Sequence, residues 1–311
     1  MVKLRFNEEP FIFRNGPIEE CIFFKDAHDY EFHDDFTSTS VVVDEKNREF
    51  LTENELNLHN RQLYIVLDTY SGINFGHFVW ESLIFLKNLK RIHKKYPNVI
   101  FVFKNLTSFK TKILTYYGFK FSTEITSKLN FLGFFPYITA LISNKYAYQY
   151  SELLDGFYNE LHRDNSFYEK DLDIVYFHRH QKKDNTNFEN MNRLSDVSEI
   201  ENYVVSQKNS ILCKSEDSDD WASEIDLVKR CRWLIVPDGS AYAVLGFHAF
   251  NSIIIVLGSE MSLSGMRRFE KVKYLNKKIK EKNEVYFVKG NNLNFTLKHL
   301  EPILRRDIVT F

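Results

Sequence analysis

Short apolar runs alternate with amphipathic stretches along most of this 311-residue chain. Continuous apolar runs are typical of strands buried on both faces, and apolar positions with a 3.6-residue period are typical of helices. The predicted buried strands are residues 63–68, 98–103, 174–177, 211–214, 233–236, 253–257 and 284–287. The predicted helices are residues 78–93, 108–117, 151–163, 196–206, 221–230, 241–250 and 293–304, with Gly118 closing the second and Ser151 as N-cap of the third. This alternation indicates parallel sheets with helices on their faces.

The alternation is interrupted by the polar stretch 164–173 and then restarts. The sequence therefore predicts an α/β protein of two Rossmann-like domains, residues 1–165 and residues 166–311. The last helix is expected to pack back on the N-terminal domain. The aromatic stretch 131–150 predicts no clear element. A β-rich N-terminal cap is predicted from the β-prone islands at 11–13, 21–24 and 40–43.

The composition narrows the classes of function. Lys plus Arg (41) nearly equals Asp plus Glu (42), so no net positive field attracts the chain to nucleic acid. The 29 Phe and 17 Tyr residues fit an aromatic cleft for sugars or bases, although compositional bias is the simpler explanation. The three cysteines, Cys21, Cys213 and Cys231, have no C-x-x-C spacing and are odd in number, which favours a reducing cytoplasm.

The sequence also favours a soluble, cytoplasmic protein. Its first residues, MVKLRFNEEPFIFR, carry acids where a signal peptide has an uninterrupted apolar core, and no apolar run reaches the length of a membrane-spanning helix. A basic stretch with interleaved apolar residues, 266–282, fits a solvated helix. A peripheral contact of this stretch with the inner face of a membrane stays open as the alternative.

The most informative segment, residues 231–247, is a strand, a small-residue turn and a helix. The apolar run Trp233–Val236 stops at Pro237, and Asp238-Gly239-Ser240-Ala241 leads into the helix. Backbone N–H groups at a helix N-terminus carry the positive end of the helix dipole, so a small-residue approach lets a diphosphate reach them. The chain contains neither G-x-G-x-x-G nor G-x-x-x-x-G-K-[ST]. The turn is therefore a candidate anion site outside those fingerprints, and a purely structural turn is the alternative.

Two open α/β sheets in tandem leave a crevice beyond the carboxyl ends of their strands, as in GT-B glycosyltransferases. Over residues 63–258 the chain resembles glycosyltransferase family 61 in the order and approximate spacing of several motifs. The matching motifs are Asn74-Phe-Gly-His77-Phe-Val-Trp-Glu81, the strand Val175–Arg179 with a second arginine, Arg193, before a helix, and Ser223-Glu224-Ile225 followed by the Asp238–Ala241 turn. The family has His-Gly-Ala-Gly at this turn, so Asp238 replaces a histidine. Leu257 stands where the family commonly has an acid, with Glu260 nearby.

The resemblance implies an inverting, metal-independent glycosyltransferase of GT-B architecture, with a nucleotide sugar as donor and no cofactor. It implies transfer of a hexosyl or pentosyl group to a glycan or glycolipid, in a divergent microbial member that builds capsule or lipopolysaccharide. The N-terminal domain would hold the acceptor and the C-terminal domain the nucleotide sugar. A pyruvyl- or phosphate-transferring enzyme and a non-catalytic glycan-binding protein of the same fold remain as alternatives.

Sugar transfer requires positive groups that stabilise the departing diphosphate. Arg179 and Arg193 are the predicted diphosphate ligands, because a guanidinium donates bidentate hydrogen bonds to phosphate and stays charged at neutral pH. The structural alternative is that both arginines are solvated loop residues. The turn completes the predicted donor site with Asp238, Gly239, Ser240 and Ala241.

Sugar transfer also requires a base that takes the acceptor's proton, and His77, Glu81 and Asp68 are the candidates. His77 and Glu81 are four residues apart, so they share a face if the helix begins at His77. Histidine titrates near neutrality, and burial raises a glutamate toward it. Asp68 ends its predicted strand. A packed histidine with a helix-face glutamate is the structural alternative.

Two acidic segments have some features of metal sites. Asp171-Leu-Asp173 has the D-x-D spacing of other glycosyltransferases, but it precedes a strand in a charged linker. The run 26–35, DAHDYEFHDD, lacks the closed spacing of a zinc site. No metal is therefore expected.

Overall fold

A computed structural model describes residues 2–5, 21–26, 32–35, 38–43, 50–67, 78–103, 105–135, 147–162, 168–178, 197–214, 221–258, 270–290 and 295–305. The chain divides into two compact units, Met1–Glu160 and Leu161–Phe311. Each unit contains a mostly parallel sheet with helices, so the chain is an α/β protein of two Rossmann-like domains.

The elements of each unit follow the chain in order. The first unit has the strands β1 (Val2–Arg5), β2 (Ile22–Lys25), β3 (Phe32–Asp35), β4 (Ser38–Val43), β5 (Phe50–Leu51), β6 (Gln62–Val66), β7 (Ile100–Val102), β8 (Lys120–Ser122) and β9 (Asn130–Phe134). Its helical elements are 3-10 turns at Glu53–Glu55 and Leu83–Phe85, a π turn at Phe78–Ser82, α1 (Leu86–Lys95), α2 (Ser108–Tyr116) and α3 (Ala147–Leu161). The second unit has the strands β10 (Leu172–His178), β11 (Ile211–Lys214), β12 (Cys231–Pro237), β13 (Ile253–Gly258) and β14 (Glu284–Lys289). Its helices are α4 (Ser198–Ser206), α5 (Trp221–Arg230), α6 (Ser240–His248), α7 (Glu270–Lys280) and α8 (Leu297–Leu304).

In the first unit the chain changes direction across the sheet at β6. The strand order is β5-β2-β9-β6-β7-β8. The four strands β6, β7, β8 and β9 run parallel to one another, and β2 is antiparallel to both of its neighbours. From β6 the chain moves outward through β7 and β8, and then returns to form β9 on the other side of β6. The carboxyl ends of β6 and β9 therefore flank a topological switch point, where open α/β sheets bind ligands. A separate antiparallel sheet has the order β1-β4-β3.

The sheet of the second unit is fully parallel, with the order β11-β10-β12-β13-β14. Numbered along the chain this is 2-1-3-4-5, a common doubly wound order, and the switch point lies between β10 and β12. All six residues of β13 are buried, because helices cover both faces of the sheet. One face packs with α4 and α8 around Tyr176 and Ile255. On the other face Phe287 meets Tyr242 of α6, whose hydroxyl donates to Asn276 of α7 at 2.7 Å.

The structure corrects three of the predicted elements. Ser151 is not an N-cap, because α3 begins four residues earlier at Ala147. β9 comes from the aromatic stretch in which no element was predicted, since strand pairing rather than local pattern defines it. In the predicted helix 78–93, α-helical geometry begins only at Leu86, after the π turn and a 3-10 turn. The predicted strand at 11–13 lies outside the described residues.

Gly133 allows β2 and β9 to approach each other closely. Its register partner on β2 is Phe23, whose ring is fully buried. A Cβ atom at residue 133 would lie 2.7 Å from Cε1 of Phe23 and 2.9 Å from Sγ of Cys21. Any side chain here must therefore displace part of the core.

We expect Gly133→Ala to lower the free energy of unfolding by about 2 kcal/mol, because the added methyl group overpacks this core. Gly156→Ala is the matched control. At that position in α3 a Cβ atom would meet Lys87 Cδ at an ordinary 3.6 Å, and alanine is favoured over glycine in a helix by about 1 kcal/mol. Urea denaturation of both variants measures the difference. Equal stability changes in the two would show that Gly133 is not a close-packing position.

Lys170 joins three elements at the amino edge of the second sheet. Its ammonium donates to the carbonyl oxygens of Lys229 (2.8 Å) and Cys231 (2.9 Å) and to Oγ of Ser252 (2.8 Å). Burial lowers the pKa of Lys170. The end of α5, the start of β12 and the residue before β13 are thus held by one side chain.

Candidate functional site

The second unit brings two of the predicted donor segments to the same sheet edge. β10 ends at His178 and β12 ends at Pro237, and the two strands are parallel neighbours. Arg179 is the next residue after β10, although Arg179 and Arg193 lie outside the described residues. The chain therefore leaves β10 toward Arg179, and β12 toward the turn, at the switch point of this sheet.

The turn after β12 opens α6. Gly239 has φ 81° and ψ −135°, a combination that is essentially restricted to glycine. Ser240 is the first residue of α6, and Ala241 follows it in the first helical turn. Apart from its two chain neighbours, no described residue has a heavy atom within 4 Å of the position that a Cβ atom on Gly239 would occupy.

Asp238 packs against the end of β13. Its side chain is buried, and its backbone N–H donates to Leu257 O at 2.9 Å. A Cβ atom on Gly258 would lie 2.5 Å from Oδ2 of Asp238, so the carboxylate requires a glycine there. Leu257 is fully buried in the core that faces α4 and α8. The predicted donor residue Asp238 is therefore also a packing element between β12 and β13.

His178 is a residue of this edge that the sequence analysis missed. Its Nδ1 lies 3.1 Å from Oε1 of Glu201 on α4 and 3.4 Å from the hydroxyl of Tyr176. The contact with Glu201 is an ion pair when the imidazole is protonated and a hydrogen bond when it is neutral. The neighbouring Arg179 was the only sequence signal here, because the pairing with α4 depends on the fold.

The first unit places its candidate residues at the carboxyl end of β6. Asp68 and His77 lie outside the described residues, but Asp68 directly follows Leu67, and His77 directly precedes the π turn. Oγ of Ser82, in that turn, donates to Leu67 O at 2.5 Å. The backbone of Glu81 therefore lies in a turn that is tied to the end of β6, at the switch point of this sheet.

The expected shared face of His77 and Glu81 assumed an α-helix from His77, and this assumption is wrong. Phe78–Ser82 is a π turn, and α1 starts at Leu86. Single π turns often mark functional sites, because they change the direction of a few side chains. Glu81 therefore remains a candidate base because of where its turn lies, at the end of β6, and not because of helical spacing.

Lys110 is a second residue that the sequence analysis missed. It is fully buried, and its ammonium donates to Asn105 O at 2.8 Å. Its Nζ lies 5.1 Å from the ring centre of Phe103 and 5.9 Å from that of Phe78. A buried cation thus lies beside the segment that carries His77 and Glu81.

The acidic segments have structural partners. Asp171 accepts two hydrogen bonds from Arg230, at 2.9 and 2.5 Å, and this contact holds the pKa of the carboxyl below its usual range. Arg230 also pairs with Asp226. In the run 26–35, Asp26 binds the guanidinium of Arg61 at 3.1 and 3.0 Å. Within the described ranges no three His, Cys, Asp or Glu side chains form a group that could hold a metal ion.

The described part of the basic stretch contains α7. Leu275 and Ile279 are buried, whereas Lys273, Lys277 and Lys280 are exposed. Residues 259–269 lie outside the described part of the chain. No described helix is both long enough and apolar enough to cross a membrane.

Two buried histidines lie at the far end of α6: His248 is its last residue, and His162, which follows α3, contacts it. Nδ1 of His248 donates to Val244 O at 2.8 Å, and Nε2 has no hydrogen-bond partner among the described residues. Burial lowers the pKa of His248 to about 3. Nε2 of His162 donates to Phe247 O at 2.8 Å, and burial also lowers the pKa of His162. Both rings are therefore neutral in the folded protein at physiological pH.

We expect stability to fall by about 2 kcal/mol between about pH 7 and pH 5 because of His248 alone. The unfolded chain protonates His248 near its ordinary pKa of 6.5, whereas the folded chain does so only near 3. The unfolded state binds more protons in this window, so stability falls as the pH falls. His248→Phe should flatten the slope, and the same change at the exposed His59 should not. Coincident slopes in urea denaturation of the parent and His248→Phe would contradict a buried neutral His248.

Comparison with known proteins assigns this chain to no family. No protein-family model matches the chain, and no curated protein matches it significantly. The resemblance to glycosyltransferase family 61 therefore stays a prediction from the motif residues.

Proposed function

We propose that this chain is an inverting glycosyltransferase that moves a sugar from a nucleoside diphosphate to a glycan acceptor. One observation carries the proposal. Strand β10 leads to Arg179, and strand β12 leads to the turn that opens α6. The two strands end side by side at the switch point of a fully parallel sheet. Open α/β sheets bind nucleotides at such points. The position of the turn and of the end of β10 at this sheet edge supports a nucleotide sugar as the ligand.

The proposed donor site stabilises the leaving diphosphate without a metal. Arg179 and Arg193 donate charged hydrogen bonds to the phosphate oxygens, and the first N–H groups of α6 add the positive end of a helix dipole. These groups are fixed before the reaction, so they stabilise the charge that develops as the glycosidic bond to phosphate breaks. They supply the charge that a divalent cation provides in other transferases.

The proposed acceptor site belongs to the first unit. Asp68, His77 or Glu81 takes the proton of the acceptor hydroxyl as its oxygen attacks the anomeric carbon. Attack opposite to the leaving diphosphate inverts the configuration of the sugar. The proposed setting is capsule or lipopolysaccharide synthesis in the cytoplasm, on a glycan or glycolipid presented at the inner face of a membrane.

A thermal-shift screen of nucleotide sugars and nucleoside diphosphates tests this proposal, because a ligand of the folded state raises the melting temperature. A hit that also transfers its sugar to a glycan supports it. Binding of glycans without nucleotides would instead favour a glycan-binding protein. Binding of phosphoenolpyruvate would favour a pyruvyl-transferring enzyme.

We expect Arg179→Ala to lower kcat/KM for sugar transfer by about tenfold to a hundredfold, because one charged hydrogen bond contributes roughly 1.5–3 kcal/mol. Arg232→Ala is the matched control. Its guanidinium lies at the opposite edge of the same sheet, 3.7 Å from Asp173, and is half exposed. Steady-state kinetics on folded protein distinguishes the two, and equal kcat/KM values would remove Arg179 from the site.

A further inference from the structure

One side of α7 carries a row of exposed lysines. Lys273, Lys277 and Lys280 are exposed, and they follow one another at helical spacings of four and three residues. Residues at these spacings lie above one another on the same side of a helix. Leu275 and Ile279 are buried, so the opposite side of α7 faces the core. The three lysines therefore form one outward-facing surface, which we call the lysine face.

The positive charge around the lysine face is only weakly offset. Residues 273–282 contain five lysines and one glutamate, a net charge of +4, whereas the whole chain has a net charge of −1. The glutamate, Glu281, pairs with Lys278 at 3.1 Å, and the next acid along the chain, Glu284, accepts from the hydroxyl of Tyr286. The helix α6, which packs beside α7, contains no acidic residue. Positive charge is therefore concentrated here, on a chain that is otherwise net negative.

The buried side of α7 determines what kind of membrane contact this helix can make. Interfacial helices insert an apolar face at the boundary of the acyl chains. The apolar residues of α7, Leu275 and Ile279, already belong to the core of the protein and are not available for insertion. Contact would therefore be made by the lysine ammonium groups alone, at the level of the lipid head groups. Each lysine close to an anionic leaflet strengthens binding by roughly fivefold.

We infer that the lysine face of α7 binds the anionic surface of a lipid bilayer. A row of ammonium groups along one side of a helix can meet several phosphates of a flat surface at the same time. The remainder of the chain is net negative and is repelled by the same surface, so the charge distribution also orients the protein with α7 toward the bilayer. A glycolipid acceptor in that bilayer rests on the proposed function, whereas the lysine face requires no nucleotide.

Nucleic acid is the other polyanion that a lysine face could bind. Proteins that bind single strands combine basic grooves with exposed aromatic rings, on which the bases stack. In the part of the chain that the structure describes, the exposed large aromatic side chains are Tyr116 and Tyr168, and neither belongs to α7. A basic helix face without an exposed ring fits phosphates on a surface better than bases. The observations therefore favour the bilayer.

Co-sedimentation with lipid vesicles tests the inference. The probes are vesicles of phosphatidylcholine alone and vesicles in which roughly one lipid in three is phosphatidylglycerol, which is anionic. In the test variant Lys273, Lys277 and Lys280 are all changed to glutamine, which removes the charge and is well tolerated on an exposed helix side. In a second variant the same three residues are changed to arginine, which keeps the charge.

The matched control removes the same amount of charge from α1 in the first unit. Lys87, Lys94 and Lys95 are exposed on that helix and are changed together to glutamine. The cations of α1 lie beside carboxylates of neighbouring elements. Glu53 pairs with Lys95 at 3.4 Å, and Glu160 pairs with another lysine of the helix at 2.9 Å. The control therefore separates the lysine face of α7 from an effect of net charge alone.

We expect the parent to bind the anionic vesicles but not phosphatidylcholine alone, and to be released when NaCl is raised from about 0.1 M to about 0.5 M. The glutamine variant of α7 should bind about a hundredfold more weakly, and the arginine variant and the α1 control should stay close to the parent. If the glutamine variant does not fold, the single change Lys277→Glu replaces it. That change removes two units of charge and should weaken binding by about twentyfold.

The outcomes distinguish this inference from the proposed function. Absence of vesicle binding by the parent, parent-like binding in the α7 glutamine variant, or an equal loss in the α1 control would overturn the inference, and nucleotide binding would still support the proposed function. Binding of a short single-stranded RNA but not of vesicles would also overturn it and would assign the lysine face to nucleic acid. Vesicle binding that depends on the lysine face, in a protein that binds no nucleotide, would support the inference and overturn the proposed function.

Discussion

Gly239→Val is expected to reduce affinity for nucleoside diphosphates by about a hundredfold or more. At φ 81° and ψ −135° a β-branched residue either strains the turn, at about 1–3 kcal/mol, or forces it to relax. A relaxed turn would point the first N–H groups of α6 away from the ligand, and each charged hydrogen bond lost costs roughly 1.5–3 kcal/mol. Titration calorimetry on folded protein measures the loss.

Gly118→Val is the matched control for this experiment. Gly118 also has a positive φ, 70°, and apart from its two chain neighbours no described residue has a heavy atom within 4 Å of its Cβ position. It closes α2 in the first unit, far in sequence from the turn. The two variants should therefore lose comparable stability, but only Gly239→Val should lose nucleotide affinity. Parent-like affinity in Gly239→Val would mean that the turn is only structural.

Lys170→Met is expected to lower the free energy of unfolding by about 3 kcal/mol. The change leaves the carbonyl oxygens of Lys229 and Cys231 without this donor in a mostly buried place, and Oγ of Ser252 loses its bond to the ammonium. Hydrogen bonds from a charged group contribute roughly 1.5–3 kcal/mol each, and water that enters the space would recover part of the loss. Methionine keeps most of the apolar stem, so the effect reports on the ammonium.

Lys229→Met provides the comparison for Lys170. The Lys229 ammonium lies 4.8 Å from the ring centre of Tyr168 and makes a 3.5 Å contact with its hydroxyl at the surface. Such an exposed cation–π contact contributes about 0.5–1 kcal/mol. Guanidinium denaturation of both variants should therefore separate them clearly. A loss in Lys170→Met no larger than that in Lys229→Met would mean that Lys170 is not a structural donor.

The strands of the second unit could be predicted because both of their faces are buried. Trp233–Val236 and Ile253–Leu257 are continuous apolar runs that follow Arg232 and Ser252 and stop at Pro237 and Gly258, and they lie in β12 and β13. The helices between them follow from amphipathic spacing. The strand order 2-1-3-4-5 does not follow from any local pattern, because it depends on which strands pair.

In the first unit, β9 was not predicted and the start of α3 was placed too late. In both places apolar residues continue past the ends of the element, so the local pattern does not mark where it begins and ends. β9 lies in the run Phe131-Leu-Gly-Phe-Phe135, where Gly133 is usually a sign against a strand. Its role is close approach to Phe23, which only pairing reveals. α3 similarly extends back through Tyr148 and Tyr150, residues with modest helix propensity, so Ser151 looked like its start.

The part of the candidate site that could be predicted from the sequence is the turn, because its backbone follows from local residues. The turn at Gly239 could be predicted because small residues stand between an apolar run and a helix. It lies at the end of β12, as expected. His178 was missed because its partner Glu201 is distant in the sequence, and Lys110 was missed because nothing in the local pattern shows that this lysine is buried. Glu201 is 23 residues after His178, and the two meet only because α4 packs on the face of β10 that carries Tyr176.

The position of β9 constrains the order of folding during synthesis. β9 is the last strand of its sheet to leave the ribosome, yet it lies between β2 and β6. Its register partner Phe23 is about 110 residues earlier in the sequence, and such non-local pairing slows folding. Before β9 emerges, the β5-β2 pair and the β6-β7-β8 ladder are separate pieces, each with an open edge that can mispair. A nascent chain that ends before residue 130 should therefore depend on chaperones, and release of β9 should complete the sheet in one late step.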